Sequence, residues 1–197
     1  MRFFLLPSRL LLARWLGAVA LGCALLAGAA PPVWGDAPPL VGLERSVKAA
    51  FLYKFLGYTE FPVTAFADAS APFVIGVVGA DDLAAELARI VAGRTVNGRA
   101  VTVRSLKENE APAGVHLLFV AAADTPKLAR LQKLVPQQPM LTVTETENGL
   151  AQGSVINFKI VDERVRFDVA LDAAERNNVK LSSRLLTVAH QVRKGVN

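Results

Sequence analysis

The chain has 197 residues, with 22 Lys and Arg against 17 Asp and Glu and a formal charge of +5. Three of the arginines, Arg2, Arg9 and Arg14, belong to the first 35 residues, and without them the net charge falls to about +2. No basic cluster of the kind that holds nucleic acid survives, and the sole cysteine, Cys23, lies in that same leader.

The leader reads as a secretory signal peptide over residues 1–35. Its positive start precedes the uncharged, mostly apolar run Trp15 to Ala30, followed by Pro31-Pro32-Val33-Trp34-Gly35. The run is shorter than the roughly 20 residues that span a bilayer, which favours a cleaved signal over an anchor. Ala20-Leu21-Gly22-Cys23 is a poor lipoprotein signal, because Ala20 stands where Leu is wanted and further apolar residues follow Cys23. A mature chain of about 162 residues has no cysteine, so its core must hold it together without disulfides.

After a Pro-rich arm at residues 36–43, one α/β domain is expected over residues 44–197. A helix over about Glu44 to Gly57 has Val47, Phe51, Phe55 and Tyr58 on one face, widened by Leu52 and Leu56. Only Lys48 and Lys54 remain for water, so the helix is either buried or keeps an apolar strip for a partner. Phe73 to Val78 reads as a strand covered on both faces. Asp81 and Asp82 are placed to cap the next helix, Leu83 to Ile90.

Asn97-Gly98 marks a turn before an alternating strand, Val101 to Leu106. Val115 to Ala121 is a second buried strand, Thr125 to Leu134 a helix with Pro126 in its first turn, and Met140 to Thr144 a fourth strand. Val155 to Ile160 and Val165 to Ala170 form a hairpin through Val161 to Arg164. Two helices, Asp172 to Asn177 and Ser182 to Arg193, end the pattern. The fold class is α/β: one domain, a mixed sheet of about six strands with parallel pairs and an antiparallel hairpin, flanked by helices on both faces.

Catalytic signals are weak. Gly76 and Gly79 do not make a G-x-G-x-x-G loop, no P-loop lysine follows, and Asp81 and Asp82 would repel a phosphate. His116 and His190 have no ligand neighbours at metal-binding spacing. Ser182 or Ser183 suits a helix cap, Arg184 suits a tie to Asp168 or another carboxylate, and Glu145 and Glu147 suit a solvated loop. No cofactor is expected.

Val47-Lys48-Ala49-Ala50-Phe51-Leu52-Tyr53-Lys54-Phe55, with Glu60-Phe61-Pro62 after it, resembles the opening motif of the YfiR-like family of bacterial periplasmic proteins. Members typically read Lys-Ala-Ala-Phe-Leu-Tyr-Asn-Phe followed by Trp-Pro, so Lys54 and Phe61 are departures. The similarity continues through Phe73 to Gly79, Val96-Asn97-Gly98-Arg99, His116 to Val120, Leu141 to Thr144, Ile156-Asn157-Phe158, Phe167-Asp168-Val169 and Ser182 to Leu186. Val115 stands where many members carry a cysteine, and Ala170 where an Asn is usual.

The resemblance implies a periplasmic regulator that is not an enzyme. It would bind the periplasmic part of an inner-membrane diguanylate cyclase, or of a sensor kinase, and an outer-membrane lipoprotein could sequester it. Self-association into a homodimer is compatible with that role. Two surfaces are candidates for a partner: Phe51, Tyr53, Phe55 and Tyr58 on the first helix, and Phe167, Asp168 and Arg184 around the hairpin and final helix. The alternative is a periplasmic module binding a small apolar or aromatic molecule, with a pocket near Phe51, Tyr53 and Phe73.

Overall fold

The computed structural model describes residues 40–121, 127–136 and 138–194. The expected signal peptide, residues 36–39 of the N-terminal arm, and Pro126 lie outside the described residues, while the rest of that arm, from Leu40, is helical and not a loose segment. Helix α1 (Leu40–Gly57) leads through β1 (Thr59–Glu60) and a 3-10 turn (Val63–Ala65) to β2 (Phe73–Val78). Then come α2 (Asp81–Val91), β3 (Thr95–Val96), β4 (Arg99–Leu106), β5 (Leu117–Val120), α3 (Lys127–Leu134) and β6 (Leu141–Thr144). The remainder is β7 (Ile156–Val161), β8 (Arg164–Ala170), α4 (Leu171–Arg176), β9 (Lys180–Leu181), α5 (Ser183–Val188) and β10 (Gln191–Arg193).

Eight strands form one sheet in the order β10-β8-β7-β6-β5-β2-β4-β3, and β1 pairs with β9 in a separate two-stranded ribbon. Strands β4, β2, β5, β6 and β7 run parallel, whereas β7–β8 and β3–β4 are antiparallel hairpins. Both hairpin turns use left-handed backbone: Asn97 at φ 50°, and Asp162 and Glu163 at φ 48° and 56°. Such turns match the right-handed twist of the strands they join.

Alternation along β2 and β5 divides the core into two layers. Phe73, Ile75, Val77, Leu117 and Phe119 belong to the larger cluster, with Leu52, Phe55 and Leu56 of α1 and Leu83 and Leu87 of α2. Val78, Leu118 and Val120 belong to the smaller one, with Leu128 and Leu131 of α3. Helices therefore cover both faces, as the continuous apolar runs of β2 and β5 require. Gly76 sits inside β2 because a Cβ there would lie 2.9 Å from Leu106 and 3.1 Å from Val115.

The sheet has eight strands where about six were expected. The short β3 was hidden in a turn-rich link. The final helix was expected to reach Arg193 but stops at Val188, and Ala189 turns extended. His190 N then donates to Phe167 O at 2.8 Å, and residues 191–193 pair parallel with Asp168–Ala170. Satisfying the open edge of β8 outweighs helix propensity over this short stretch.

Two charge assignments also change. Asp81 and Asp82 lie inside the first turn of α2, after the N-cap Ala80, and Asp82 Oδ1 accepts from the first-turn amide Leu83 N at 2.9 Å. Asp82 ties α1 to α2 through Arg45, 2.6 Å away. Lys48 is buried instead of facing water, and its ammonium holds Glu44 on its own helix and Glu145, 2.6 Å away, in the β6–β7 loop. Burial opposes charge on Lys48, but the hydrogen bonds to Glu145 and Glu44 outweigh it and raise its pKa. Glu145 is thus an anchor of its loop, not a solvated residue.

Candidate interaction surface

The face of α1 splits into three stripes. Ala49, Leu52, Phe55 and Leu56 are buried in the core. Tyr53 lies to one flank, where its hydroxyl donates to Thr95 O at 3.2 Å and Arg94 sits 5.6 Å from its ring centre. Leu43, Val47, Phe51, Lys54 and Tyr58 follow the helix at spacings of four, four, three and four on the other flank, and all remain partly open to solvent.

That open stripe is the floor of a groove. Its first half, about 570 Å³, runs between Leu43, Val47 and Phe51 and the β7–β8 hairpin, where Ile160 and Val165 form the opposite wall. Its second half, about 240 Å³, runs from Phe51 to Tyr58 against Leu185 and Val188 of α5, with Phe55 and Phe167 behind. Phe51 lines both halves. Leu43 (52 % exposed), Ile160 (50 %), Val188 (62 %) and Tyr58 (38 %) line it, four of the seven large apolar side chains most exposed among the described residues. A concentration of that kind marks a surface that something covers.

The groove is stiffened from below. Phe51, Phe55, Phe158 and Phe167 form a ring cluster, with Phe55 and Phe167 edge to face at 5.0 Å between centroids and Phe51 and Phe167 at 5.6 Å. Ser182 caps α5, its hydroxyl accepting from Leu185 N, and Ser182 N donates to Tyr58 O at 2.9 Å. The end of α1 and the start of α5 are thereby held together, which sets the width of the groove's second half.

Of the residues nominated from the sequence, Phe51, Phe55, Tyr58 and Phe167 come together here, although Phe55 and Phe167 are themselves buried. Tyr53 lies on the other flank. Asp168, one residue after Phe167, points to the opposite sheet face, where it is buried against Lys159 (2.7 Å) and His190 (3.2 Å). Those partners replace the expected tie to Arg184, which is exposed on α5. Beside Asp168, Asn157 Oδ1 accepts from Thr144 Oγ1 at 2.7 Å and Thr146 N at 3.2 Å, beneath the loop that passes at Gly149. Ile160, Leu185 and Val188 were missed, yet Ile160 and Val165 stand on alternate positions flanking the hairpin turn and could have been read as a second wall.

A separate aromatic box lies around His116. Its ring stacks on Phe66 at 4.5 Å and meets Phe61 and Phe73 edge to face, while Arg99 covers Phe66 at 3.9 Å. His116 Nδ1 accepts from Val74 N at 3.1 Å, which puts the ring proton on Nε2. Burial pushes the ring's pKa down, and the nearby Arg99 charge adds to that. Phe73 is part of this box and Tyr53 of neither groove half, so Phe51, Tyr53 and Phe73 do not converge on one pocket. Among the described residues no group of three or more His, Cys, Asp or Glu could hold a metal ion, and no helix is long and apolar enough to cross a membrane.

Residues 45–190 match the YfiR/HmsC-like family. The chain belongs to that family. The match begins inside α1 and ends just before β10, so the ring cluster and all of the groove except Leu43 and Glu44 lie within the matched residues. No curated protein matches the sequence. Among solved structures, a conserved domain protein from Vibrio cholerae O1 biovar El Tor is similar, with a TM-score of 0.50 and 10 % identity over 76 % of this chain. The match spans 60 % of that chain's length and shows a shared fold.

Proposed function

We propose that this YfiR/HmsC-like protein is a periplasmic regulator that binds the periplasmic sensor part of a membrane signalling enzyme. The enzyme is a diguanylate cyclase, and binding lowers its cyclic-di-GMP output. Family membership supports the signalling role and the periplasmic address. The leader at residues 1–35, read as a cleaved signal peptide, supports export. The observation that carries the binding reading is the open apolar groove along α1, lined by Leu43, Phe51, Tyr58, Ile160 and Val188. An inhibitor acts by binding its target's inactive state more tightly than the active one, and such a surface supplies the binding energy.

Co-purification tests this reading. The mature protein, tagged at residue 197, is recovered from the periplasm and membrane of its host and the bound proteins are identified. A membrane cyclase retained through its periplasmic part is the expected outcome, with a sensor kinase as a neighbouring result that keeps the regulator and changes the enzyme. Charged substitutions at Tyr58 and Arg184 should weaken that retention.

The groove's first half, at about 570 Å³, also falls within the range of small-molecule sites. That favours, as the second reading, a sensor module for an apolar or aromatic ligand. A small molecule retained through purification that raises the unfolding temperature on addition, with no membrane protein recovered, would select it.

A further inference from the structure

Residues 61–72 form a strap between β1 and β2, and little of it belongs to the fold it crosses. None of its residues is fully buried. Among the described residues its backbone amides donate within the strap: Ala65 N to Pro62 O, Phe66 N to Val63 O, Ala71 N to Asp68 O, and Ser70 N to the Asp68 carboxylate. Its attachments to the rest of the chain are the Phe61 and Phe66 rings, which pack on Phe73 and His116, and the grip of Arg99. Arg99 Nη1 donates to Asp68 O at 3.1 Å and to Ala71 O at 2.7 Å, and its guanidinium lies 3.9 Å from the Phe66 ring centre. His116, just before β5, stacks on that same ring at 4.5 Å.

His116 is the member of this attachment that can change charge near neutral pH. Its Nδ1 accepts from Val74 N at 3.1 Å, and its buried Nε2 has no hydrogen-bond partner among the described residues. A second proton would go to Nδ1 and set two donors against each other. It would also place a charge among three phenylalanine rings, beside the Arg99 cation, with no carboxylate to receive it. Asp68, the strap's only titratable side chain, is engaged by Ser70 and Arg99. Glu108 and Glu110, in the link before β5, are tied to Lys127 and Arg104. Strands β2, β5 and β6 carry no titratable side chain.

We infer that His116 is an acid-released latch, and that taking up a proton frees the strap at residues 61–72 while the sheet and helices stay folded. The neutral ring accepts from Val74 and holds Phe61 and Phe66 down. The charged ring loses that acceptor and leaves the aromatic box for water, taking the stacking partner of Phe66 with it. The Ala65 carbonyl favours the charged ring, but burial outweighs it and lowers the pKa. The latch is therefore closed above the ordinary histidine range and opens below it. It does not depend on what the groove along α1 binds.

The test uses the purified mature protein, residues 36–197. Both tryptophans, Trp15 and Trp34, belong to the leader, so Phe66→Trp gives the strap a sole indole reporter. On acid titration its emission should move to longer wavelength over about two pH units, centred below about pH 6.5, while the far-ultraviolet circular dichroism stays constant. His116→Gln keeps an acceptor for Val74 N and cannot titrate, so the shift should vanish in that background; in Asp68→Asn it should remain. Hydrogen exchange by mass spectrometry, corrected for the intrinsic effect of pH, reads the same event without altering Phe66. Residues 61–72 should lose protection in acid while Phe73–Val78 keeps it, and His116→Gln should abolish the loss. The inference is overturned if strap emission and exchange stay unchanged down to the acid limit of the fold. It is equally overturned by a transition that persists in His116→Gln, or by one that occurs only together with loss of the circular dichroism signal.

Discussion

Phe167 and Asp168 are neighbours on β8, yet they enter two different kinds of interior. Phe167 joins a cluster of four phenylalanines under α1, where contact is non-directional and the rings meet edge to face. Asp168 turns to the other face and is held by Lys159 and His190, next to its cross-strand neighbour Asn157 beneath the β6–β7 loop. One side of the strand is organised by volume, the other by which donor meets which acceptor. The aromatic side should tolerate a change of shape that keeps volume, and the polar side should tolerate no deletion that leaves a partner behind.

The largest effect expected is on the aromatic side. Phe55→Ala should cost about 3 to 5 kcal/mol in urea unfolding, and Phe55→Leu far less. Equal losses for the two would mean that the cluster is held by ring geometry and not by volume. On the polar side, Gly149→Ala places a Cβ 2.1 Å from Thr144 Oγ1 and 2.2 Å from Asn157 Oδ1. A loss of about 2 to 3 kcal/mol is expected, because the pair cannot move without breaking its own hydrogen bond. Asp168→Ala should cost about 1 to 3 kcal/mol by stranding Lys159, moderated by the lysine's access to water. A neutral result there would collapse the contrast between the two faces.

His116 sharpens the comparison, as a polar ring inside an aromatic box. Its pKa in the fold lies below the ordinary value because burial favours the neutral ring. The unfolded chain therefore takes up the proton first, and this contribution to stability is complete above about pH 6.5 and lost as pH falls below it. His116→Phe should flatten the acid side of the stability profile measured by thermal melting between neutral pH and about pH 5. The smallest effect is Arg45→Ala, which removes the exposed pair with Asp82 and should change stability by less than about 0.5 kcal/mol.

The parts of this fold that were legible in the sequence are those with strong local pattern. The apolar run of β2 and the hairpin around Asp162-Glu163 stand where periodicity and turn chemistry put them. What escaped depended on distant partners. β10 is a strand because β8 offers an edge, and Lys48 is buried because Glu145 reaches it from nearly a hundred residues away. The candidate surface follows the same division. Phe51 and Tyr58 are visible on a helical wheel, whereas Ile160, Leu185 and Val188 become its walls only once β7 and α5 are brought alongside α1.

The parallel arrangement at the centre of the sheet has a kinetic consequence. β2 pairs with β4 on one side and β5 on the other, 28 and 42 residues away in register, so neither contact can form until a long loop has closed. The β3–β4 and β7–β8 hairpins can form early, but the Phe73–Val78 and Leu117–Val120 runs must wait, exposed, for one another. Slow assembly of this kind leaves apolar strand edges open to the wrong partner. Refolding at high concentration should therefore lose material to aggregation, and a factor that shelters these two runs during transit would raise the yield without altering the final stability.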